Sequence, residues 1–252
     1  MVEDPFSLGE LGRESRNYYR VPGFTGFPRQ MGDVALDLGL NVGAFSLAYA
    51  HQFDRVVAVE ASSRCIQIAR ENLERAGISN VEIVHRALAA VSGEEITLRR
   101  IYVGDTYESK DFSTFDVANE SLEKTDFPGR FGQVEEIVGS VSWNDLLTMT
   151  GVSRISFVKC DIEGAEFSLL HQADLSMVDC LALELHYTFL GLERVLALIS
   201  HLGKTHKVLG IRSSKLVGGG HWPPPSILWF INRQVSGKRF ALLSTLATFR
   251  KF

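Results

Sequence analysis

DVALDLGLNVGAFS, residues 33–46, is the stretch that decides the fold of this chain of 252 residues. Its apolar residues are followed by two glycines, Gly39 and Gly43, at the point where a strand is expected to end and a helix to begin. Glycine weakens both kinds of element, but it tolerates left-handed backbone angles and lets a ligand approach closely. The helix that follows offers free backbone N–H groups and the positive end of its dipole. This turn is therefore predicted to cradle a nucleotide-like ligand.

The spacing of the turn separates it from two common nucleotide-binding motifs. Its pattern is GxNxG, with Asn41 between the glycines, whereas the dinucleotide fingerprint GxGxxG needs a third glycine where this chain has Ala44. A phosphate-binding P-loop needs the triplet GK[ST], which is absent here. An NAD-dependent dehydrogenase is accordingly a poor candidate. Glu60 ends the next apolar run, where an acidic side chain can accept hydrogen bonds from both ribose hydroxyls.

Strand-like and helix-like patterns alternate along the chain. The first part predicts strands at 34–39, 55–62 and 81–88, separated by helices at 43–52 and 62–77. This β-α-β-α-β order predicts an α/β fold with a parallel sheet and helices on both faces. Further elements are predicted at 93–103 (strand), 142–149 (helix), 155–164 (strand), 165–172 (helix), 178–187 (strand), 192–203 (helix), 206–213 and 226–233 (strands).

Neither a repeat nor a linker divides the sequence, so residues 1–252 are predicted to form a single domain. Within it, we interpret residues 1–30 as an N-terminal cap segment. Residues 104–135 show no clear period and are predicted to be irregular and to lie near the site. The apolar stretch RFALLSTLATFRKF at the end is predicted to pack on the sheet; contact with a second copy in a homodimer, or with a membrane surface, is an alternative.

Charge, cysteine content and the apolar runs limit the partners, metal sites and cellular location expected for this protein. The formal net charge is −4, and the basic residues are scattered, so nucleic acid is not expected as a partner. The three cysteines, Cys65, Cys160 and Cys180, are widely spaced, which favours buried thiols over a disulfide framework or a zinc site. The N-terminal sequence lacks a signal-peptide pattern, and no apolar run reaches membrane-spanning length. We therefore expect a cytoplasmic protein without a membrane span.

Three stretches together resemble the FkbM family of class I S-adenosylmethionine (SAM)-dependent methyltransferases: DLGLNVGAFS, VVAVEAS and FVKCDIEGAE. The third resembles the family string K-x-D-[VI]-E-G-A-E, and WNDLL before it resembles a short helix of the family. The resemblance covers about residues 34–190. The chain departs from the family at Ala61 and Ser62, where proline and asparagine are common. The string matches at Lys159, Asp161, Ile162, Glu163, Gly164, Ala165 and Glu166.

The resemblance implies a Rossmann-like class I methyltransferase fold, with seven mostly parallel strands of which the last is antiparallel. It implies SAM as the cofactor and S-adenosylhomocysteine as the product. It also implies methyl transfer, usually to a hydroxyl oxygen of a sugar, a lipid or another secondary metabolite. The cofactor residues that it implies are Gly39, Asn41 and Gly43 around the methionine part, Glu60 on the ribose with Ala61 beside it, Ala87 and Leu88 beside the adenine, and Asp37 in support of the turn.

Polar residues at the ends of two predicted strands are the candidates for catalysis. Asp161 and Glu163 follow one strand, and Glu184 and His186 end the next. In an open α/β sheet, ligands bind beyond the carboxyl ends of the strands, so we expect these four groups to converge. His186 is predicted to be the base that takes the hydroxyl proton, with Asp161 and Glu184 as further catalytic candidates. The alternative for His186 is a structural hydrogen bond at the strand end.

Asp161 and Glu163 have several open roles. They can bind the amino group of SAM, hold the substrate, ligate a cation, or stabilise the following helix through its dipole. Mg²⁺ would be served by carboxylates such as these and Glu184, but no spacing demands a metal, and none is predicted. Glu163 is also predicted to contact the acceptor, together with His221 and Trp222 of the loop GGGHWPPP. That loop is equally consistent with a plain hairpin connection.

The leading functional prediction is therefore O-methylation of a hydroxyl group on a small molecule. One alternative is an enzyme of the same fold that uses SAM differently, for N-methylation or cyclisation. Another is a SAM-binding protein without catalysis. Segments 1–30, 104–135 and 214–225 match nothing in the family, and we expect them to select the acceptor.

Overall fold

The structure is a computed structural model, and it describes residues 33–103, 112–115, 131–213 and 226–235. The predicted cap segment 1–30 and the predicted acceptor contacts His221 and Trp222 lie outside the described residues. The strands are β1 (Val34–Leu38), β2 (Arg55–Glu60), β3 (Val81–His85), β4 (Ala87–Leu88), β5 (Glu95–Val103), β6 (Phe112–Phe115), β7 (Phe131–Val141), β8 (Ile155–Cys160), β9 (Val178–Leu185), β10 (His206–Ser213) and β11 (Ser226–Asn232). The helices are α1 (Ala44–Tyr49), followed by a 3₁₀ turn (Ala50–Gln52), α2 (Ser63–Arg75), α3 (Trp143–Thr150), α4 (Glu166–Leu170) and α5 (Tyr187–Leu202).

Seven strands form the main sheet in the order β3-β2-β1-β8-β9-β11-β10. The pairs from β3 to β9 are parallel, and β11 runs antiparallel to both β9 and β10. The predicted sheet, with its last strand antiparallel, is thus confirmed. Central strands are buried on both faces, as all eight residues of β9 are, because helices cover both sides of the sheet.

Neighbouring residues of β1 show the two layers. Leu36 belongs to the core that packs with α3, α4 and α5, whereas Ala35 belongs to the core on the other face, with Phe45 of α1. Phe45 stacks on Phe157 of β8, with ring centroids 5.8 Å apart. Burying a side chain of this size contributes about 1.5–3 kcal/mol. The packing of these two cores on opposite faces of the sheet fixes the positions of the strand ends, which carry the polar residues.

Side-chain caps set the starts of two helices. The Ser62 hydroxyl accepts a hydrogen bond from Cys65 N at 3.2 Å, and Ser142 accepts one from Asp145 N at 3.3 Å. Each cap satisfies one free N–H group and is worth about 1 kcal/mol. The predicted start of the last helix, at residue 192, follows Gly191, whose φ of 72° interrupts α5. None of the helices in the described part of the chain has the length and apolar character needed to cross a membrane.

A second sheet, in the order β4-β7-β5-β6, changes the prediction for residues 104–135. The extra strand predicted at 93–103 is present as β5, but β6 and the start of β7 fall in the segment predicted to be irregular. The sequence of β7, FGQVEEIVGSV, mixes glycines and charges, and its residues 135–141 range from buried to exposed, so the strand shows no clear period. Its small core joins Leu98 and Val138 to Ala61 and Ala87.

The three cysteines are free thiols, and all three are buried, as the sequence predicts. Cys160 lies in β8, next to the charged end of that strand. Burial raises the pKa of its thiol well above the ordinary value. These side chains therefore act as small apolar groups in the core.

Candidate active site

The glycine turn between β1 and α1 adopts the predicted left-handed geometry. The φ angles are 81° at Gly39, 51° at Asn41 and 90° at Gly43. The N–H of Gly39 donates to the carbonyl of Val59 at 3.0 Å, which ties the turn to β2. A Cβ atom on Gly39 would lie 1.9 Å from the carbonyl oxygen of Asp161. Gly39 is therefore required both by its own conformation and by the close approach of the β8–α4 turn.

Asp37 lies under this turn, fully buried in β1. Its Oδ2 accepts a hydrogen bond from the Ser46 hydroxyl of α1 at 2.7 Å. Its Oδ1 lies 3.4 Å from the Lys159 ammonium of β8. These contacts join β1, α1 and β8, so Asp37 supports the turn from below.

Lys159 is a site residue that the sequence analysis quoted but gave no role. Its ammonium is buried, and it donates to the carbonyls of Leu38 (3.2 Å) and Gly39. It also lies 3.8 Å from Asp161 Oδ2. Burial lowers the pKa of this ammonium, but the carboxylates of Asp37 and Asp161 outweigh that effect and raise the pKa overall. The signal in the sequence was a lone lysine inside the apolar run ISFVKC.

Glu60 ends β2 and lies in the cleft with only 8% of its surface exposed. Its Oε2 accepts a hydrogen bond from Asn41 N at 2.8 Å, and its Oε1 accepts from Ala61 N and Ser62 N at 3.0 and 2.9 Å. Burial raises the pKa of the carboxyl, and these three N–H donors offset part of that rise. A carboxylate has about four acceptor positions, so Oε2 retains capacity for a ligand hydroxyl.

A cleft of about 530 Å³, part of it open to solvent, lies between the β1–α1 turn and the turn that follows β8. Leu88 lines it, but Ala87 does not: its side chain is buried in the small core with Leu98. Successive residues of a strand point to opposite sides, and the adenine contact of Ala87 stays a prediction. Arg86 takes part in the lining, and the sequence analysis missed it. The lining residues are Gly39, Asn41, Val59, Glu60, Ala61, Cys65, Arg86, Leu88, Asp161, Ile162 and Glu163.

The turn after β8 forms the opposite wall of the cleft. Asp161 N donates to the Leu38 carbonyl at 3.1 Å, and the φ angle of Glu163 is 52°. Glu166, fully buried at the start of α4, accepts hydrogen bonds from Ile162 N at 3.4 Å and Gly164 N at 3.1 Å. The wall thus consists of a tight turn around a buried carboxylate.

His186 follows β9 and lies behind this wall rather than among the residues that line the cleft. Its Nδ1 lies 2.7 Å from Glu166 Oε1, and its Nε2 lies 3.2 Å from Glu163 Oε2 and 3.8 Å from Asp161 Oδ1. Burial lowers the pKa of the imidazole, but hydrogen bonds to Glu163 and Glu166 and their charges outweigh burial and raise it to about 11.

This protonation state bears on the predicted role of His186 as the base. At neutral pH the ring is an imidazolium, which donates from both nitrogens and has no lone pair with which to accept a proton. The structure therefore brings His186 to the predicted place but gives it a different chemical state. The cause is the pair of glutamates on either side of the ring.

Glu184 does not reach the cleft lining either. It is buried in β9, and its negative charge contributes to the raised pKa of Lys159. Asp161, Glu163 and His186 each offer a ligand atom within 4.8 Å of the other two, so among the residues that the structure describes they form a group that could hold a metal ion. A cation would have to displace the proton that two glutamates hold on His186. That no metal is required stays a prediction.

Comparisons with known proteins agree with this geometry. The family model of the methyltransferase FkbM domain matches residues 37–205. The solved structure of methyltransferase FkbM from Methylobacillus flagellatus KT is similar, with a TM-score of 0.50 and 15% identity, covering 85% of this chain and 47% of that chain. Precorrin 8w decarboxylase from Methanobacterium thermoautotrophicum has a TM-score of 0.48 and 14% identity, covering 92% and 93% of the two chains. No curated protein matches the chain by sequence.

At 15% identity the solved FkbM structure shows the fold alone, whereas the family match spans more than half of the chain. That match includes both turns that form the cleft. The residues present fit SAM, since Gly39 and Asn41 of the glycine turn line the cleft and Glu60 offers an acceptor inside it. SAM is accordingly the cofactor, and the chain belongs to the FkbM family of methyltransferases.

Proposed function

We propose that this protein transfers the methyl group of SAM to a hydroxyl oxygen of a small molecule. The observation that carries the proposal is the pair of carboxylates, Asp161 and Glu163, on the wall of the cleft opposite Glu60. A hydroxyl acceptor must be aligned with the methyl group and must lose its proton. Carboxylates can do both, by accepting a hydrogen bond from the hydroxyl and then accepting its proton.

The charge of the cleft supports a small acceptor without phosphate groups. Three of its lining residues, Glu60, Asp161 and Glu163, carry carboxylates, and Arg86 carries the one cation among them. A nucleic acid brings a row of phosphates that such a lining repels. This argument supports the expectation, drawn from the net charge of −4 and the scattered basic residues, that nucleic acid is not a partner.

We assign Asp161 as the general base that accepts the proton of the acceptor hydroxyl. It lines the cleft, and the cations of Lys159 and His186 lie 3.8 Å from its two carboxylate oxygens. These two neighbours hold the carboxylate in place. Bound SAM supplies an electrophilic methyl group on sulfur and leaves as S-adenosylhomocysteine. As the new O–CH₃ bond forms and the S–CH₃ bond breaks, Asp161 accepts the hydroxyl proton.

Glu163 and His186 have supporting roles in this proposal. The Glu163 side chain is 40% exposed, so it can contact the acceptor directly. His186 acts as a positioning residue, because it contacts Asp161 and Glu163 from behind. Most of the rate enhancement then comes from alignment of the acceptor, and a general base adds about two to four powers of ten.

The test follows a heavy methyl group. The protein is incubated with SAM carrying a CD₃ group and a cell extract separated into small-molecule, RNA and protein fractions, and mass spectrometry locates the label. We expect label on an oxygen of a small molecule, and at least a hundredfold less with Asp161→Asn. Glu193→Gln, an exposed change on α5, is the control and should transfer label normally.

Each of the other possible outcomes leads to a different conclusion about the function. Label on RNA or protein overturns the small-molecule acceptor, and label on nitrogen makes the protein an N-methyltransferase. Methylthioadenosine instead of S-adenosylhomocysteine indicates cyclisation. Calorimetric binding of SAM without transfer to any fraction supports a non-catalytic SAM-binding protein. Loss of transfer in EDTA that Mg²⁺ restores contradicts the prediction that no metal is required.

A further inference from the structure

We propose that Glu166 is a positioning residue that acts both directly and through His186 to hold the turn from Asp161 to Gly164 in the shape that walls the cofactor cleft. The sequence analysis assigned this glutamate no role in the site. The inference rests on the cofactor cleft and does not depend on which acceptor is methylated.

Three contacts of Glu166 carry the inference. The side chain is fully buried at the first residue of α4. Its Oε1 accepts from the backbone of Ile162 (3.4 Å) and Gly164 (3.1 Å), and the same oxygen lies 2.7 Å from His186 Nδ1. One buried oxygen therefore joins the turn after β8 to the end of β9.

His186 continues this connection to the cleft. Its other nitrogen, Nε2, lies 3.2 Å from Glu163 Oε2 and 3.8 Å from Asp161 Oδ1, and both carboxylates line the cleft. Glu163 has a φ of 52°, and left-handed geometry is unfavourable for a residue with a Cβ atom. The contact with His186 helps to offset that cost. The order of contacts is thus Glu166, His186, then Glu163 and Asp161.

Glu166 also has a simpler explanation, in which an acid in the first turn of α4 stabilises the helix through its dipole. The two explanations differ in one respect. A dipole effect does not depend on the residue at position 186, whereas the part of a positioning effect that His186 transmits disappears once His186 is replaced. A double-mutant cycle between the two positions separates them.

The experiment measures the SAM dissociation constant by calorimetry for the wild type, Glu166→Gln, His186→Gln and the double variant. Glutamine keeps the size of the glutamate but removes its charge. We expect each single change to weaken SAM binding by about three- to thirtyfold, and the double variant to be weakened by less than the product of the two single effects. Asp179→Asn, a buried carboxylate at the opposite end of β9, is the control and should leave SAM affinity unchanged.

A product of the two single effects in the double variant would overturn the inference, as would normal SAM affinity in Glu166→Gln. If Glu166→Gln does not fold, the cycle is run with Glu166→Asp, which keeps the charge but withdraws it by one methylene group. Failure of the wild type to bind SAM would instead refute the cofactor assignment itself.

A second measurement reads His186 directly in the protein without ligand. Nitrogen NMR of the histidine rings, with the His186 signals identified by their loss in His186→Gln, should show both nitrogens protonated at pH 8. In Glu166→Gln, those signals should change, while the other histidines keep theirs. Unchanged His186 signals would mean that Glu166 does not act through this ring.

Discussion

The two halves of the cleft are built in different ways. The cofactor half consists of the β1–α1 turn and Glu60, and its groups are backbone N–H donors and left-handed residues held by local contacts. The opposite wall consists of ionised side chains, Asp161, Glu163 and Glu166, around the imidazolium of His186. The first half depends on backbone conformation, and the second depends on a balance of charges.

This difference has a consequence for robustness. Backbone donors need no particular protonation state, so the form of the cofactor half depends on pH only through Glu60, whose pKa burial raises. The wall keeps its form only while its proton and its partners are in place, because a buried charge without a partner is costly. Lys159 joins the halves, since it contacts the carbonyl of Gly39 and lies 3.8 Å from Asp161.

The largest effect is expected where the halves touch. Gly39→Ala would place a Cβ atom 1.9 Å from the Asp161 carbonyl at a residue with a φ of 81°, so it should cost about 5 kcal/mol or prevent folding. Urea unfolding measures this cost. Gly77→Ala has a φ of 67° but meets no atom within 4 Å, so it should lose only about 1–2 kcal/mol and bind SAM normally. Equal losses in the two variants would show that the close approach is not needed.

The next effect concerns the residue that joins the halves. Lys159→Met leaves Asp37 buried without its cation, and removing one partner of a buried charge pair costs about 3–5 kcal/mol. Urea unfolding and SAM calorimetry should both detect the change. Lys204→Met replaces an exposed lysine and should have neither effect. A Lys159→Met protein of normal stability would mean that the two halves are independent.

A moderate effect is expected in the cofactor half alone. Glu60→Ala removes an acceptor from the cleft, and lost hydrogen bonds to a charged group cost about 1.5–3 kcal/mol of SAM binding. The pH dependence of stability should stay as in the wild type above pH 7, because His186 is untouched. Glu82→Ala, on the exposed side of β3, is the matched control for calorimetry. SAM binding that survives Glu60→Ala would remove Glu60 from the cofactor site.

The last prediction isolates the wall. The pKa of His186 rises from its usual 6.5 to about 11 on folding, so the folded state holds an extra proton between those values. This contribution is complete below about pH 6.5 and is lost as pH rises toward 11, at about 1.4 kcal/mol per pH unit. Urea unfolding from pH 7 to 9 should therefore show a steeper fall in the wild type than in His186→Gln. Parallel curves would contradict a charged His186.

The sequence by itself determined the parts whose physics is local. The order of strands and helices follows from apolar runs and helical spacing, and Ser62 and Ser142 act as caps within three residues of their partners. The glycine turn is also a local device, because its φ angles depend on the residues in it. Glu60 was predictable because it ends a strand whose direction the β-α-β order fixes.

Only the tertiary structure decided the chemistry of the wall. Histidine is a residue type that often serves as a general base. In His186, however, Glu163 and Glu166, some twenty residues earlier in the chain, keep the ring protonated. The side chain of Ala87 packs in a core that the second sheet creates. That sheet was hard to predict because its strand β7 shows no clear period in the sequence. The physical reason is common to both: the charge state of a ring and the direction of a strand residue depend on neighbours that folding brings from separate stretches of chain.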